Sequence, residues 1–355
     1  MVDIELLRSI LQAPGIPGRE DAIRDLVAVE LKPLVDELSI DPLGNLIGLK
    51  RGTGRGPRVM VAAHVDEIGF FVKYIDDRGF IRLQPVGGFD PRMLVAQRAI
   101  VHTRSGDQLL ALVQPGAKPI HLQQPGDAKD LKIEDIFLDL GLPADEVKAA
   151  VEIGDWVTMQ STTEMLGKTV TSKTLDDRLC VYIMLEAMKR LGEHTADIYA
   201  VATTQEEVGL RGARGAAYSV DPEVGLALDV TIAGDIPGTP VETSVTTLHA
   251  GTAIKIFDSS HISNPKLVAH LRDLAEEKGI PHQLEILPRG GTDAGAMQQV
   301  TNGAAVATLS VPTRYVHSVN ETASITDIEA TIDLLVAFLE AAGSRSYGYE
   351  LPADA

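Results

Sequence analysis

The chain has 355 residues, 45% hydrophobic and 23% charged, which is ordinary globular usage at a length of roughly two domains; disordered, coiled-coil and small disulfide-stapled scaffolds are excluded. Asp and Glu number 50 against 32 Lys and Arg, and the formal net charge of −18 repels nucleic acid and anionic lipid. Cys180 is the single cysteine, so neither an intrachain disulfide nor a Cys-type structural zinc site can form. Met1-Val2-Asp3-Ile4-Glu5 places acids where a signal peptide needs positive charge, and no apolar run approaches the roughly 18 residues of a membrane span. The expectation is a cytoplasmic protein without membrane attachment.

In chain order, residues 6–11 and 20–31 carry apolar side chains three and four apart, separated by Pro14-Gly15-Ile16-Pro17-Gly18; two helices around a tight loop are predicted. Val59-Met60-Val61-Ala62-Ala63 reads as a strand buried on both faces, ending at His64-Val65-Asp66. From Gly69 the pattern changes to short strands at 70–75, 80–83, 99–103 and 109–113 with turns such as Asp76-Asp77-Arg78-Gly79, which predicts a small β module over residues 69–165. Within it, residues 130–150 show helical spacing, and 154–158 reads as a closing strand.

After Lys173 the alternation of an α/β domain resumes. Helices are predicted at 178–191 and 265–278, and buried strands at 198–204, 224–230 and 304–311. The last helix carries an apolar stripe of Ile328, Ile332, Leu335, Val336 and Leu339, with a Thr326/Glu329 capping pair and Gly343 as the stop. The expected architecture is one α/β domain, residues 1–68 and 166–355, interrupted by the β insertion 69–165.

Five segments place acids or histidines directly after a buried strand or at a helix start: His64/Asp66, Asp176/Asp177, Glu206/Glu207, Asp229 and His317. In open α/β sheets ligands bind outside the carboxyl ends of the strands, so segments far apart in sequence converge there. Two imidazoles with several carboxylates in one cleft invite divalent cations, because unpaired buried carboxylates are costly and cations compensate them. His64 and Asp66 share a face if the strand continues, which lets Asp66 bond the ring nitrogen that His64 does not offer to a metal. Of Asp176 and Asp177, only one need be a ligand. Glu206 and Glu207 point opposite ways in extended chain, so one can bind metal while the other handles protons. Asp229 is a charge inside the apolar run Leu226-Ala227-Leu228-Asp229-Val230. The glycine-rich 290–295 turn matches no phosphate-binding fingerprint and reads as a backbone-shaping loop near the cleft. Cys180, among Leu179, Val181 and Ile183, reads as a buried small hydrophobe.

Several stretches together resemble the M42-type dinuclear metal aminopeptidases, the family of the tetrahedral TET peptidases and glutamyl aminopeptidases. They are Pro17-Gly18-Arg19-Glu20, the run 63–69, Leu175-Asp176-Asp177-Arg178, the run Gln205-Glu206-Glu207-Val208-Gly209-Leu210-Arg211-Gly212-Ala213, the 290–294 loop and Arg314-Tyr315-Val316-His317-Ser318. The resemblance implies a zinc-peptidase-like α/β fold with an inserted barrel-like dimerisation domain. It implies two divalent metal ions per subunit, zinc or cobalt with manganese also suitable: Asp176 bridges, His64 and Asp229 complete one site, and Glu207 and His317 the other. Glu206 is then the general base and Asp66 the acid that orients His64. Short peptides are the implied substrates, and dimers assembling into a dodecamer the implied homo-oligomer. Two departures, His121-Leu122-Gln123-Gln124 and Met297, bear on the substrate pocket. Competing readings on the same residues are a metal-dependent N-acyl amino acid deacylase and, since family members have been labelled so, a glucanase. The adjacent Glu206 and Glu207 do not supply the facing carboxylates that glycoside hydrolysis needs.

Overall fold

The apolar runs of the second half of the chain pair with the run that ends at His64. In the computed structural model, which describes residues 2–118, 120–122, 124 and 130–351, the strands Asp197–Thr203, Arg58–His64, Val224–Ile232 and Ala305–Arg314 lie side by side and parallel. Parallel strands are buried on both faces, which is why they read as near-continuous apolar runs. Val59, Val61, Ala63, Leu226 and Leu228 pack on one side against the helices Ile4–Gln12, Leu175–Arg190 and Ile325–Ala341. Met60, Ala62, Ala227 and Val306 pack on the other against Arg211–Val220 and Asp293–Gln298. Alternation along each strand thus feeds two core layers.

Further strands, all but one paired antiparallel, complete the large sheet. The hairpin Glu37–Ile40 and Leu46–Lys50 borders Asp197–Thr203; Glu321–Ser324, Thr169–Ser172 and Glu164–Leu166 extend the far side. Thr252–Phe257 pairs with Ala305–Arg314 and carries His282–Ile286. These additional strands and the helix Arg211–Val220 have no counterpart in the sequence reading. Most of these strands are short: Glu164–Leu166 is wholly exposed, while Glu321–Ser324 is buried but built of Glu, Thr, Ala and Ser, so neither gives a long apolar run.

Between Gly69 and Met159 the chain forms a separate closed barrel of six strands, in the order Gly69–Ile75, Ile81–Val86, Ile136–Asp139, Gln108–Pro115, Arg98–His102 and Trp156–Met159. Phe70, Val72, Ile81, Val101, Val113 and Leu138 fill its interior. The structure corrects the helix expected over 130–150. A strand Ile136–Asp139 comes first and a helix occupies only Ala144–Ala150, because Gly141 at φ +67° and Pro143 break the segment, and Ile136 and Leu138 are needed inside the barrel. The cap of the last helix is also corrected: Ser324 accepts from the Thr326 N–H at 3.2 Å, while Glu329 is drawn to Arg190 at 3.0 Å. Gly343 lies beyond the helix, where a Cβ would run into Thr195. Met297 packs in the smaller core layer, and of the 121–124 run Gln123 lies outside the described residues. No helix among the described residues is long and apolar enough to cross a membrane.

Trp156, the chain's only tryptophan, stacks on His102 in the barrel with ring centroids 3.8 Å apart. Burial pushes the His102 imidazole down to about 4, against a weaker upward pull from Glu67. An unfolded histidine takes its proton near 6.5, so between these values the unfolded state binds more protons and stability falls as pH falls through the window. Urea unfolding followed by Trp156 fluorescence is expected to show a loss of about 2–3 kcal/mol from His102 between pH 6.5 and 4. The His102→Phe variant should lack that component; an equal acid loss in both proteins would contradict it.

Candidate active site

The four parallel strands end on one side of the sheet, and their ends carry the chemistry. His64 closes its strand opposite Thr203, Asp229 lies near the end of the next strand, Glu206 and Glu207 follow Thr203, and His317 follows Arg314. Asp176 and Asp177 arrive from the start of the Leu175–Arg190 helix, whose regular turns begin at Arg178, and a cis peptide joins the two acids.

Asp176 stands at the centre. Its Oδ1 lies 3.1 Å from His64 Nε2 and its Oδ2 lies 3.3 Å from His317 Nε2, so each oxygen faces a different imidazole. His317 Nε2 is also 3.5 Å from Glu207 Oε1, and His64 Nε2 is 3.8 Å from Glu206 Oε2. Candidate ligand atoms of His64, Asp176 and Glu207 lie within 4.8 Å of one another, as do those of His64, Asp177 and Asp229. All five residues read from sequence as metal ligands, and Glu206, are therefore gathered in one cleft.

Both imidazoles are held by carbonyls. His64 Nδ1 donates to the Asp66 backbone oxygen at 3.0 Å and His317 Nδ1 to the Gly88 oxygen at 2.8 Å. A carbonyl can only accept, so Nδ1 carries the proton and Nε2 is the nitrogen open to a proton or a cation. The Asp66 carboxylate, expected on the His64 ring, is 3.5 Å from Nδ1 and has its closer contacts elsewhere. It accepts the N–H groups of Glu206 at 3.0 Å and Glu207 at 3.1 Å, fixing the backbone of both acids. Asp177 accepts the His64 N–H at 3.1 Å and lies fully buried.

Supporting residues that the sequence reading did not assign surround this set. Glu321 accepts from the N–H of Asp176 at 3.0 Å and of His317 at 2.7 Å. Glu20 accepts from the N–H of Gln205 at 3.2 Å. Glu67 is buried between Lys173 at 2.6 Å and Arg178 at 3.2 Å, and Arg178 also donates to the Val65 carbonyl. Asp293, at the helix start after the glycine loop, accepts from the Thr203 hydroxyl at 2.5 Å. Glu20, Glu67 and Arg178 lie in motifs that sequence alone singles out; Glu321 has no local signal beyond an acid four residues after His317.

The electrostatics show a surplus of buried negative charge. Burial, reinforced by Asp176, pushes Glu207 up to about 8; burial and Asp176 likewise push Glu321 up to about 8. Glu206 and Asp229 are raised, chiefly by burial. Asp176 moves the other way: burial opposes ionisation, but hydrogen bonds from His317 and His64 hold it below the usual range. His317 is driven up to about 10, since Asp176 and Glu207 outweigh its burial. Asp177 and Asp293 each keep one buried oxygen without a hydrogen-bond partner. Mixed imidazole and carboxylate donors in such a field suit divalent cations of the zinc, cobalt or manganese type. The donor set thus fits a metal.

The family model for M42 glutamyl aminopeptidases matches residues 44–334. The chain belongs to this family. It is an aminopeptidase, a hydrolase acting on peptide bonds, in a metal-dependent family. It is 40% identical to the lysyl aminopeptidase of Pyrococcus furiosus over 349 residues, covering 96% of this chain and 97% of that one. An aminopeptidase structure from Desulfurococcus kamchatkensis superposes with a TM-score of 0.91 at 40% identity, covering 96% of this M42 chain and 94% of the other. The TET1 peptidase of Pyrococcus horikoshii, described as assembling into a tetrahedron or a large octahedral shell, gives 0.84 at 33% identity, with 95% and 98% covered.

Proposed function

We propose that this M42 peptidase removes N-terminal residues from short peptides through a dinuclear metal centre. The observation that carries the reading is Asp176, whose two oxygens face two different imidazoles at 3.1 and 3.3 Å. In this reading Asp176 would be shared between the two ions, His64 and Asp229 would hold one and Glu207 and His317 the other, and zinc, cobalt or manganese would suit the donor set. When bound, the cations lower the pKa of the attacking water and polarise the scissile carbonyl.

The chain's own residues do the rest. Glu206 lines the cleft of about 590 Å³ beside His64 and Asp229, where its carboxylate takes the proton from water and returns it to the leaving amine. Asp66 holds the adjacent backbone so that Glu207 and Glu206 keep separate roles. Ile232, Leu287 and Val316 give the cleft an apolar wall for a side chain, alongside Lys255 and Arg289.

The proposed domain division is 1–68 with 166–355 for catalysis and 69–165 for the insertion. The barrel carries outward-facing Ile100, Leu110 and Leu112 on paired strands, and Leu110 is 51% exposed. Such a stripe suits contact with a second copy. We assign dimerisation to it, with dimers building a dodecamer; the tetrahedron and octahedral shell described for the Pyrococcus horikoshii relative support a large assembly. A cytoplasmic site of action fits the single, buried cysteine.

The test is the initial rate on free and N-acetylated aminoacyl anilides, before chelation, after it, and after zinc, cobalt or manganese is restored. Cleavage of free-amine substrates alone, lost on chelation and regained with metal, is expected. Cleavage of the acetylated series would make the protein a deacylase, and chelator-resistant cleavage would remove the metals from the reaction.

A further inference from the structure

The site draws on the barrel as well as the large sheet, and on one half only. Gly87 and Gly88 lie in the barrel between the strand Ile81–Val86 and the short helix Pro91–Leu94. Gly88 accepts from His317 Nδ1 at 2.8 Å, and a Cβ at Gly88 would stand 3.4 Å from that nitrogen and 3.6 Å from Cε1. A Cβ at Gly87, where φ is +92°, would run into Ile68 and stand 3.4 Å from Glu207 Oε2. Past His317 the chain dips into the barrel: Val319 is 8% exposed and packs in the barrel core, and the Ser161 hydroxyl donates to its carbonyl at 2.8 Å. His317 itself sits at φ +62°, a conformation a non-glycine residue keeps only when its surroundings impose it. His64 and Asp229, in contrast, stand on central strands of the large sheet, and the partners of His64 come from Asp66, Asp176 and Asp177.

Building on the dinuclear reading, we infer that the barrel positions one of the two metal half-sites: its Gly88 carbonyl and its grip on Val319 set the affinity of the Glu207/His317 half, while the His64/Asp229 half is independent of it. The Gly88 carbonyl fixes the tautomer and the plane of the His317 ring, and such outer contacts are typically worth 10- to 100-fold in metal affinity. Gly88 and Val319 are positioning residues; neither offers a side-chain ligand. Any contact that shifts the barrel against the large sheet, assembly included, then acts on this half-site first.

The experiment is cobalt(II) titration of the full-length, metal-depleted protein, read by visible absorbance and calorimetry, with His317→Ala identifying the site that this ligand serves. Gly88→Val is expected to weaken that site by about 10- to 100-fold and to leave the other within about twofold. Val319→Ala, which adds no atoms and removes no ligand, should weaken the same site in the same direction and serves if Gly88→Val does not fold. Equal weakening of both sites, or no change at either in the folded variants, overturns the inference. A native protein that binds a single cobalt ion overturns the dinuclear reading itself.

Discussion

Glu206→Gln is expected to retain its full metal content and lose about 10²- to 10⁴-fold in turnover, the range that positioned general acid–base groups supply. The amide keeps the shape of the carboxylate but cannot take a proton from water. The backbone at this position is held independently of the side chain, since the Glu206 N–H donates to Asp66 and the preceding Gln205 N–H to Glu20. The side chain stands 3.8 Å from His64 Nε2, against 3.1 Å for Asp176, which fits a group beside the cations more than one holding them. Turnover within about tenfold of the native enzyme, at equal metal content by elemental analysis, would remove Glu206 from this role.

Asp176→Asn should abolish stoichiometric metal binding and turnover together. Among the described residues Asp176 is the one carboxylate with both oxygens on imidazoles, and the pull of His64 and His317 keeps it ionised despite burial. An amide removes the charge that two cations would share and replaces one acceptor with a donor aimed at an imidazole. Asp177→Asn is the paired control. Its acceptor role toward the His64 N–H survives in the amide oxygen, so metal content should stay near two per chain. Should Asp177→Asn lose the metals while Asp176→Asn keeps them, the bridging assignment moves to Asp177, which also lies among candidate ligand atoms with His64 and Asp229.

The cluster itself was legible in the sequence because of where its members stand. His64, Glu206/Glu207, Asp229 and His317 each lie at or just beyond a buried apolar run, and parallel strands bring such positions to one edge. The five short strands read after Gly69 likewise announced a β module, and they close into a barrel with a sixth, Ile136–Asp139, that the spacing did not reveal. The 130–150 segment misled because helical spacing of apolar residues in a short stretch also arises when a strand and a helix follow each other around Gly141 and Pro143.

Burial is written locally, in periodicity, since each strand or helix must hide one face or both; the core layers, the strand ends and the charges stranded there were therefore determined by sequence alone. Partnership is not. Glu321 meets Asp176 from 145 residues away, Asp293 meets Thr203 across 90, and Gly88 meets His317 across 229. Asp66 was identified, but its carboxylate spends its hydrogen bonds on the N–H groups of Glu206 and Glu207, 140 residues on, more closely than on the neighbouring imidazole. Hydrogen bonds are directional and reach only about 3 Å, so which groups meet was decided by how the loops at the sheet's edge and the barrel pack against each other, a property of the tertiary structure.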